Sequence, residues 1–206
     1  MADRKWGKGG YGPVLTQTEL YLLEETELHI HPILAQKYDA FQLEFDLQTG
    51  QTIGFSAKDR NKPLDFNKKD EAATLPRLTQ LIIISRQSPW VTYVQNPDGV
   101  TLANICERLW LEYSRIQLTE QEFKLLSARE KERVMRMALL RENHGQYVSG
   151  GSRNTLSEIT AQRCRRVDWL GGKTLFDGLE KDDKYVKSRL GFVASNVLVL
   201  STSTAY

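Results

Sequence analysis

A chain of 206 residues is long enough to close a hydrophobic core without disulfide or metal staples, and its length is near that of one domain. Its 40% hydrophobic and 26% charged residues exclude a disordered or fibrous class. Its 28 basic and 26 acidic residues leave a net charge of +2, which excludes the concentrated positive field of a strongly electrostatic nucleic-acid or membrane binder.

The N-terminus, Met1 to Pro13, is Gly-rich with Lys5, Trp6, Lys8 and Tyr11 between the glycines, and reads as a flexible tail. It carries no apolar h-region, so the expected compartment is the cytoplasm or nucleus. Weakly apolar residues 14–23 follow. His29 and His31 then stand two apart, on one face if the segment is a strand, and form a candidate metal pair; Glu25, Glu27 and His144 are the candidates for completing it. Phe41 to Leu47 alternates as a half-buried strand does, and Gln48 to Gln51 turns the chain.

Lys58 to Ala73 is rich in Lys, Asp and Asn, has no period, and reads as a long surface loop. Leu81-Ile82-Ile83-Ile84 suits a strand covered on both faces, and Trp90 to Val94 a second strand after a hairpin at Gln87-Ser88-Pro89. After the turn Asn96-Pro97-Asp98-Gly99, Thr101 can cap a helix whose apolar positions run Leu102, Ile105, Cys106, Leu109, Trp110, Tyr113. Capping boxes at Thr119/Glu122, Ser127/Glu130 and Thr155/Glu158 open further helices, the second reaching about Asn143. A strand is expected near Arg165 and another at Lys173 to Phe176, separated by the turn Gly171-Gly172. The interrupted apolar stretch Leu190 to Leu200 is about half of the ~20 residues that cross a bilayer, so it is read as a strand, at a sheet edge or closing the sheet. Strands, then helices, then strands predict an α+β fold: one domain over 14–200 between tails 1–13 and 201–206, with about five mostly antiparallel strands and three or four helices.

The segment Arg165-Arg166-Val167-Asp168-Trp169-Leu170-Gly171-Gly172-Lys173-Thr174-Leu175-Phe176-Asp177-Gly178-Leu179 resembles the closing pattern of an uncharacterised fungal domain family, abundant in mushroom-forming basidiomycetes. The likeness extends upstream through Pro97 to Thr101, Leu118 to Phe123, Phe45-Asp46-Leu47 and His31 to Leu34, roughly residues 28 to 180. It implies a fungal source and domain limits, and it implies no activity.

No motif for a cofactor is present. Gly172-Lys173-Thr174 has the end of a phosphate loop, but Val167 stands where that loop needs glycine. Cys106 falls on a helix's apolar stripe; Cys164, between Arg163 and Arg165, is either a buried thiol or a reactive one. The arginines of 129–141 alternate with Glu130, Glu132 and Glu142, as on a salt-bridged face, and alternatively offer RNA a basic surface.

Within the signature, Asp168 can pair with an arginine beneath Trp169 as a structural hub. Alternatively Arg165, Arg166, Asp168, Trp169 and Lys173 form a pocket for an anionic small molecule. Three functions follow: a non-enzymatic binding or scaffold domain with a protein partner, a small enzyme or anion-binding protein, and an RNA-associated module.

Overall fold

The computed structural model describes residues 5–7, 12–23, 26–144 and 160–204. In chain order these form β1 (Val14–Leu15), α1 (Gln17–Leu22), β2 (His29–Ile30), β3 (Gln42–Phe45), β4 (Thr52–Ser56), β5 (Asp59–Leu64), β6 (Thr74–Leu75), β7 (Arg77–Leu78), β8 (Gln80–Ser85) and β9 (Val91–Gln95). There follow α2 (Leu102–Trp110), α3 (Glu120–Lys124), α4 (Ala128–His144), α5 (Arg166–Trp169), β10 (Leu175–Glu180), α6 (Asp183–Leu190) and β11 (Val197–Ser203).

The central sheet has the order β10-β11-β8-β9, with β11 parallel to β8 and the other pairs antiparallel. Successive side chains of a strand point to opposite faces, and here both faces are covered. Leu81 and Ile83 of β8 and Leu198 and Leu200 of β11 enter the main core with α2, whereas Ile82, Ile84, Val197 and Val199 meet Val186 of α6. That is why β8 is apolar at all four positions from Leu81 to Ile84. The antiparallel sheet β3-β4-β5 leans on β10 through a bridge between Asp46 and Leu175. The architecture is one compact α+β domain, as expected, with eleven strands and six helices among the described residues. The higher count comes from two-residue strands and helices of one or two turns, too short to carry a period.

Three of the expected elements differ. Asp59–Leu64, expected as loop, is an exposed strand paired to β4, and an exposed strand has no apolar alternation to reveal it. The C-terminal strand β11 lies inside the sheet between β10 and β8, which is the closing placement of the two expected, but it runs later than expected, from Val197 past Leu200 to Ser203. Residues 166–169, expected as strand, form a turn of helix. The Thr155/Glu158 capping box, Glu25 and most of the N-terminal stretch lie outside the described residues. Trp6, expected in a flexible tail, is buried with its ring edge-on to His31 at 4.5 Å.

Candidate functional site

The signature begins as α5 because Asp168 caps its own turn. Its Oδ2 accepts the Arg165 backbone N–H at 2.7 Å, placing a carboxylate at a helix N-terminus where orphan donors and the helix dipole favour it. Gly171 (φ 63°) and Gly172 (φ 90°) then end the turn in left-handed conformations and return the chain into β10. A helical turn brings Arg165 and Asp168 together and sends Arg166 elsewhere.

Asp168, 2% exposed, is gripped from α4. Arg141 Nε donates to Oδ1 and Nη2 to Oδ2, each at 2.9 Å, and Nη2 also donates to the Arg163 carbonyl at 2.8 Å. Burial works against the Arg141 charge, and the Asp168 carboxylate outweighs it, so the guanidinium is held above the ordinary arginine range. Arg165 donates through Nη1 to the Ser114 carbonyl at 3.1 Å; partial burial and then the nearby charge of Arg141 hold it below the ordinary range.

Arg166 turns toward a second set of partners. It pairs with Glu112 and lies 3.8 Å from Glu122, while its guanidinium carbon sits 4.7 Å from the Trp90 ring centroid. Trp90 meets Trp169 edge-on at 5.2 Å and donates its indole N–H to Glu122 at 2.6 Å. Burial pushes the Glu122 carboxyl up, but hydrogen bonds from the Thr119 backbone, the Trp90 indole and the Thr119 hydroxyl outweigh it, so the group lies below the usual carboxylate value. Glu112 also accepts from Arg108 at 3.2 Å.

Glu112 reaches this cluster because α2 continues as a π-helical turn over Leu111–Arg115. The wider turn buries three consecutive polar residues. Glu112 meets Arg166, the Tyr113 hydroxyl shares a 2.7 Å hydrogen bond with Ser88, and the Ser114 hydroxyl donates to the carbonyls of Leu47 and Gln48. Burial pushes the Tyr113 phenol up to about 12.

Of the residues singled out in the sequence, the structure thus splits the signature into two sets: Arg165 with Asp168, and Arg166 and Trp169 each against Trp90. Lys173 is exposed on the glycine turn. His29 is exposed, whereas His31 is buried, with Nε2 2.9 Å from Glu71 and Nδ1 accepting the Ile33 N–H at 3.1 Å. Among the described residues, no three His, Cys, Asp or Glu side chains converge as a metal set. Cys164 is fully buried, with its thiol pushed up to about 11 by burial and then by Asp168, and burial pushes Cys106 up to about 12. These are structural thiols. The partners have no signature in the sequence: Arg141 and Glu122 read there as a surface charge and a cap, and Glu112 carries no local signal.

Two surface concavities lie away from this cluster. One, of about 610 Å³, runs between Glu27, His29 and Lys37 on one side and Asp177, Glu180 and Lys181 on the other, with charges of both signs. The second, of about 260 Å³, is an apolar groove between Leu20, Tyr21 and Leu23 of the α1 region and Val193 and Ala194. Among the described residues, no helix is long and apolar enough to cross a membrane.

A model described as a family of unknown function, DUF6699, matches residues 43–187. No curated protein and no solved structure matches the chain.

Proposed function

We propose that this chain, which belongs to the DUF6699 family, is a non-enzymatic binding or scaffold domain whose Arg165 to Leu179 segment serves as a structural hub. The observation that carries the reading is the internal use of two of the signature's charges, Asp168 and Arg166. Asp168 is occupied by Arg141 and the Arg165 N–H, and Arg166 by Glu112 and Glu122. A group that binds an anionic ligand or moves a proton needs a face left open to the substrate. Three of the basic residues of α4 and beyond also have acidic partners, Arg136 with Glu132 at the surface, Arg141 with buried Asp168 and Arg163 with Glu142, which weakens the case for an RNA surface. The reading includes an intracellular location, supported by two buried free thiols, and a fungal source, supported by the likeness of the signature.

Thermal melts in the presence of phosphate and of small carboxylates test it, together with salt-titrated binding of single-stranded RNA. A ligand of the folded state raises Tm by about 5–10 °C at roughly 100 times its Kd. The expected result is no shift with either anion and no salt-sensitive RNA binding. A shift abolished by Arg166→Lys would overturn the reading in favour of an anion site.

A further inference from the structure

The central sheet ends on one side at β9, and the register of β9 on β8 decides which of its main-chain groups point outward. Asn96 N–H donates to the carbonyl of Thr79 at 2.9 Å, so the even-numbered residues of β9 face β8. Alternate residues of an antiparallel pair turn both main-chain groups to the partner. Thr92 and Val94 therefore bond to β8, and Val91, Tyr93 and Gln95 turn their N–H and C=O away from it. The same alternation continues across β8, where Ile82 N–H donates to the Asn196 carbonyl on the other side at 2.9 Å. Among the described residues, no main-chain group meets Val91, Tyr93 or Gln95 on the open side. The Tyr93 side chain beside them is 51% exposed.

The other edges of the two larger sheets are covered or guarded. β3 and β10 meet through the Asp46–Leu175 bridge and through Leu47 N–H on the Thr174 carbonyl at 2.9 Å. The stretch beside them adds the Leu34 carbonyl, which accepts Leu179 N–H at 2.7 Å, and Gln36 Nε2, which donates to the Leu43 carbonyl at 2.8 Å. β5 is open, but it carries Asp59, Arg60, Lys62 and a proline, Pro63, all of which oppose the addition of a strand. β9 reads Val-Thr-Tyr-Val-Gln, with no charge, proline or glycine and with residues that favour a strand. An edge of this kind is a template for pairing.

We propose that the β9 edge pairs with the β9 edge of a second copy of the chain, joining the two central sheets across a two-fold axis at Tyr93. Outward residues must face outward residues to bond. An antiparallel pair centred on Tyr93 sets Tyr93 against Tyr93 and Val91 against Gln95, and each such pair exchanges two hydrogen bonds. An axis between two residues sets outward against inward groups and forms none; an axis at Val91 or Gln95 slides most of the strand past its partner. The uncharged strand brings no like charges together, and the two Tyr93 rings form a cross-strand aromatic pair. A foreign strand would draw its specificity from pockets along the edge, and the two concavities described above border none of the three outward residues. The inference rests on the binding-domain reading and names its first partner.

Sedimentation of the full chain from about 1 to 200 μM, with amide hydrogen exchange at both ends of that range, tests it. The expected result is a rise toward twice the 23.6 kDa chain mass. Exchange at Val91, Tyr93 and Gln95 should slow about tenfold or more at the high concentration, whereas Thr92 and Val94, bonded to β8, should be slow at both. Tyr93→Lys and Tyr93→Glu each set like charges opposite one another on the axis and are expected to weaken association about tenfold or more. Monomer Tm should change little, because this side chain faces solvent. An equimolar mixture sets lysine against glutamate, so association is expected to return.

A wild-type chain that stays monomeric throughout would overturn the dimer, as would exchange at Val91, Tyr93 and Gln95 that is the same at both concentrations, or a mixture that associates no better than either variant. Addition of a foreign strand to a monomeric chain counts against the second copy. Should the Tyr93 variants fail to fold, the wild-type exchange pattern decides alone. None of these results touches the binding-domain reading, which falls only to the anion and RNA measurements.

Discussion

Arg141 and Asp168, 27 residues apart in sequence, form a two-pronged ion pair in which both hydrogen bonds measure 2.9 Å and the side chains are 12% and 2% exposed. This contact ties α4 to the signature turn. A guanidinium fork matches a carboxylate in a way an ammonium does not.

Arg141→Ala is expected to destabilise the fold by about 3–5 kcal/mol, the cost of leaving a buried carboxylate unpaired. Arg141→Lys should recover only part of this. The double replacement Arg141→Leu with Asp168→Leu should cost less than Arg141→Ala alone, because neither charge is then buried without its partner. Urea unfolding of these proteins together with the single variants Arg141→Leu and Asp168→Leu reads the differences; additive effects of the two positions would contradict a coupled pair.

Glu122 gives the domain an acid limit. Its folded-state pKa is lowered from 4.5, so its contribution to stability is fully present above that value and lost as pH falls below it through the lowered folded value. Melts between about pH 6 and pH 3 should show this loss, and Glu122→Gln should flatten it. Trp90 fluorescence is expected to change over the same window, since the indole donates to that carboxylate.

Both cysteines should resist thiol reagents in the native protein at pH 8 and react fully in denaturant. Burial raises Cys164 to about 11 and Cys106 to about 12, so neither presents thiolate near neutrality. Rapid native labelling of Cys164 would mean that its loop opens.

Gly54 in β4 faces the Phe41 ring so closely that a methyl group there would fall 1.9 Å from Cε2. The ring is itself buried and stacked on Phe66 at 5.4 Å, so it has little room to retreat. Gly54→Ala is expected to cost about 1–3 kcal/mol by overpacking. A neutral result in urea unfolding would show that the β3-β4-β5 sheet yields at this point.

How much of this was legible in advance follows the range of each interaction. The caps at Thr101, Thr119 and Ser127 and the periodic stripe of α2 were readable because a cap and its partner lie three residues apart and a stripe repeats every turn. The all-apolar run of β8 likewise announced a strand covered on both faces. The exposed strand β5 was missed because its hydrogen bonds leave no mark on side-chain pattern. The signature turn was expected as strand because its helical character depends on Asp168 capping Arg165, in a segment of four residues with no period.

The candidate site divides in the same way. By itself the sequence determined the α+β class, the main helices and strands, and the grouping of arginine, aspartate and tryptophan in one segment, since all of these are set by neighbours along the chain. Only the tertiary structure decided what those charges do. Arg141 reaches Asp168 across 27 residues and Glu112 reaches Arg166 across 54, through a π-helical turn that turns Glu112 inward. Which acid meets which base is chosen when the chain closes on its core, because the cost of burying an unpaired charge is felt only once water has been excluded.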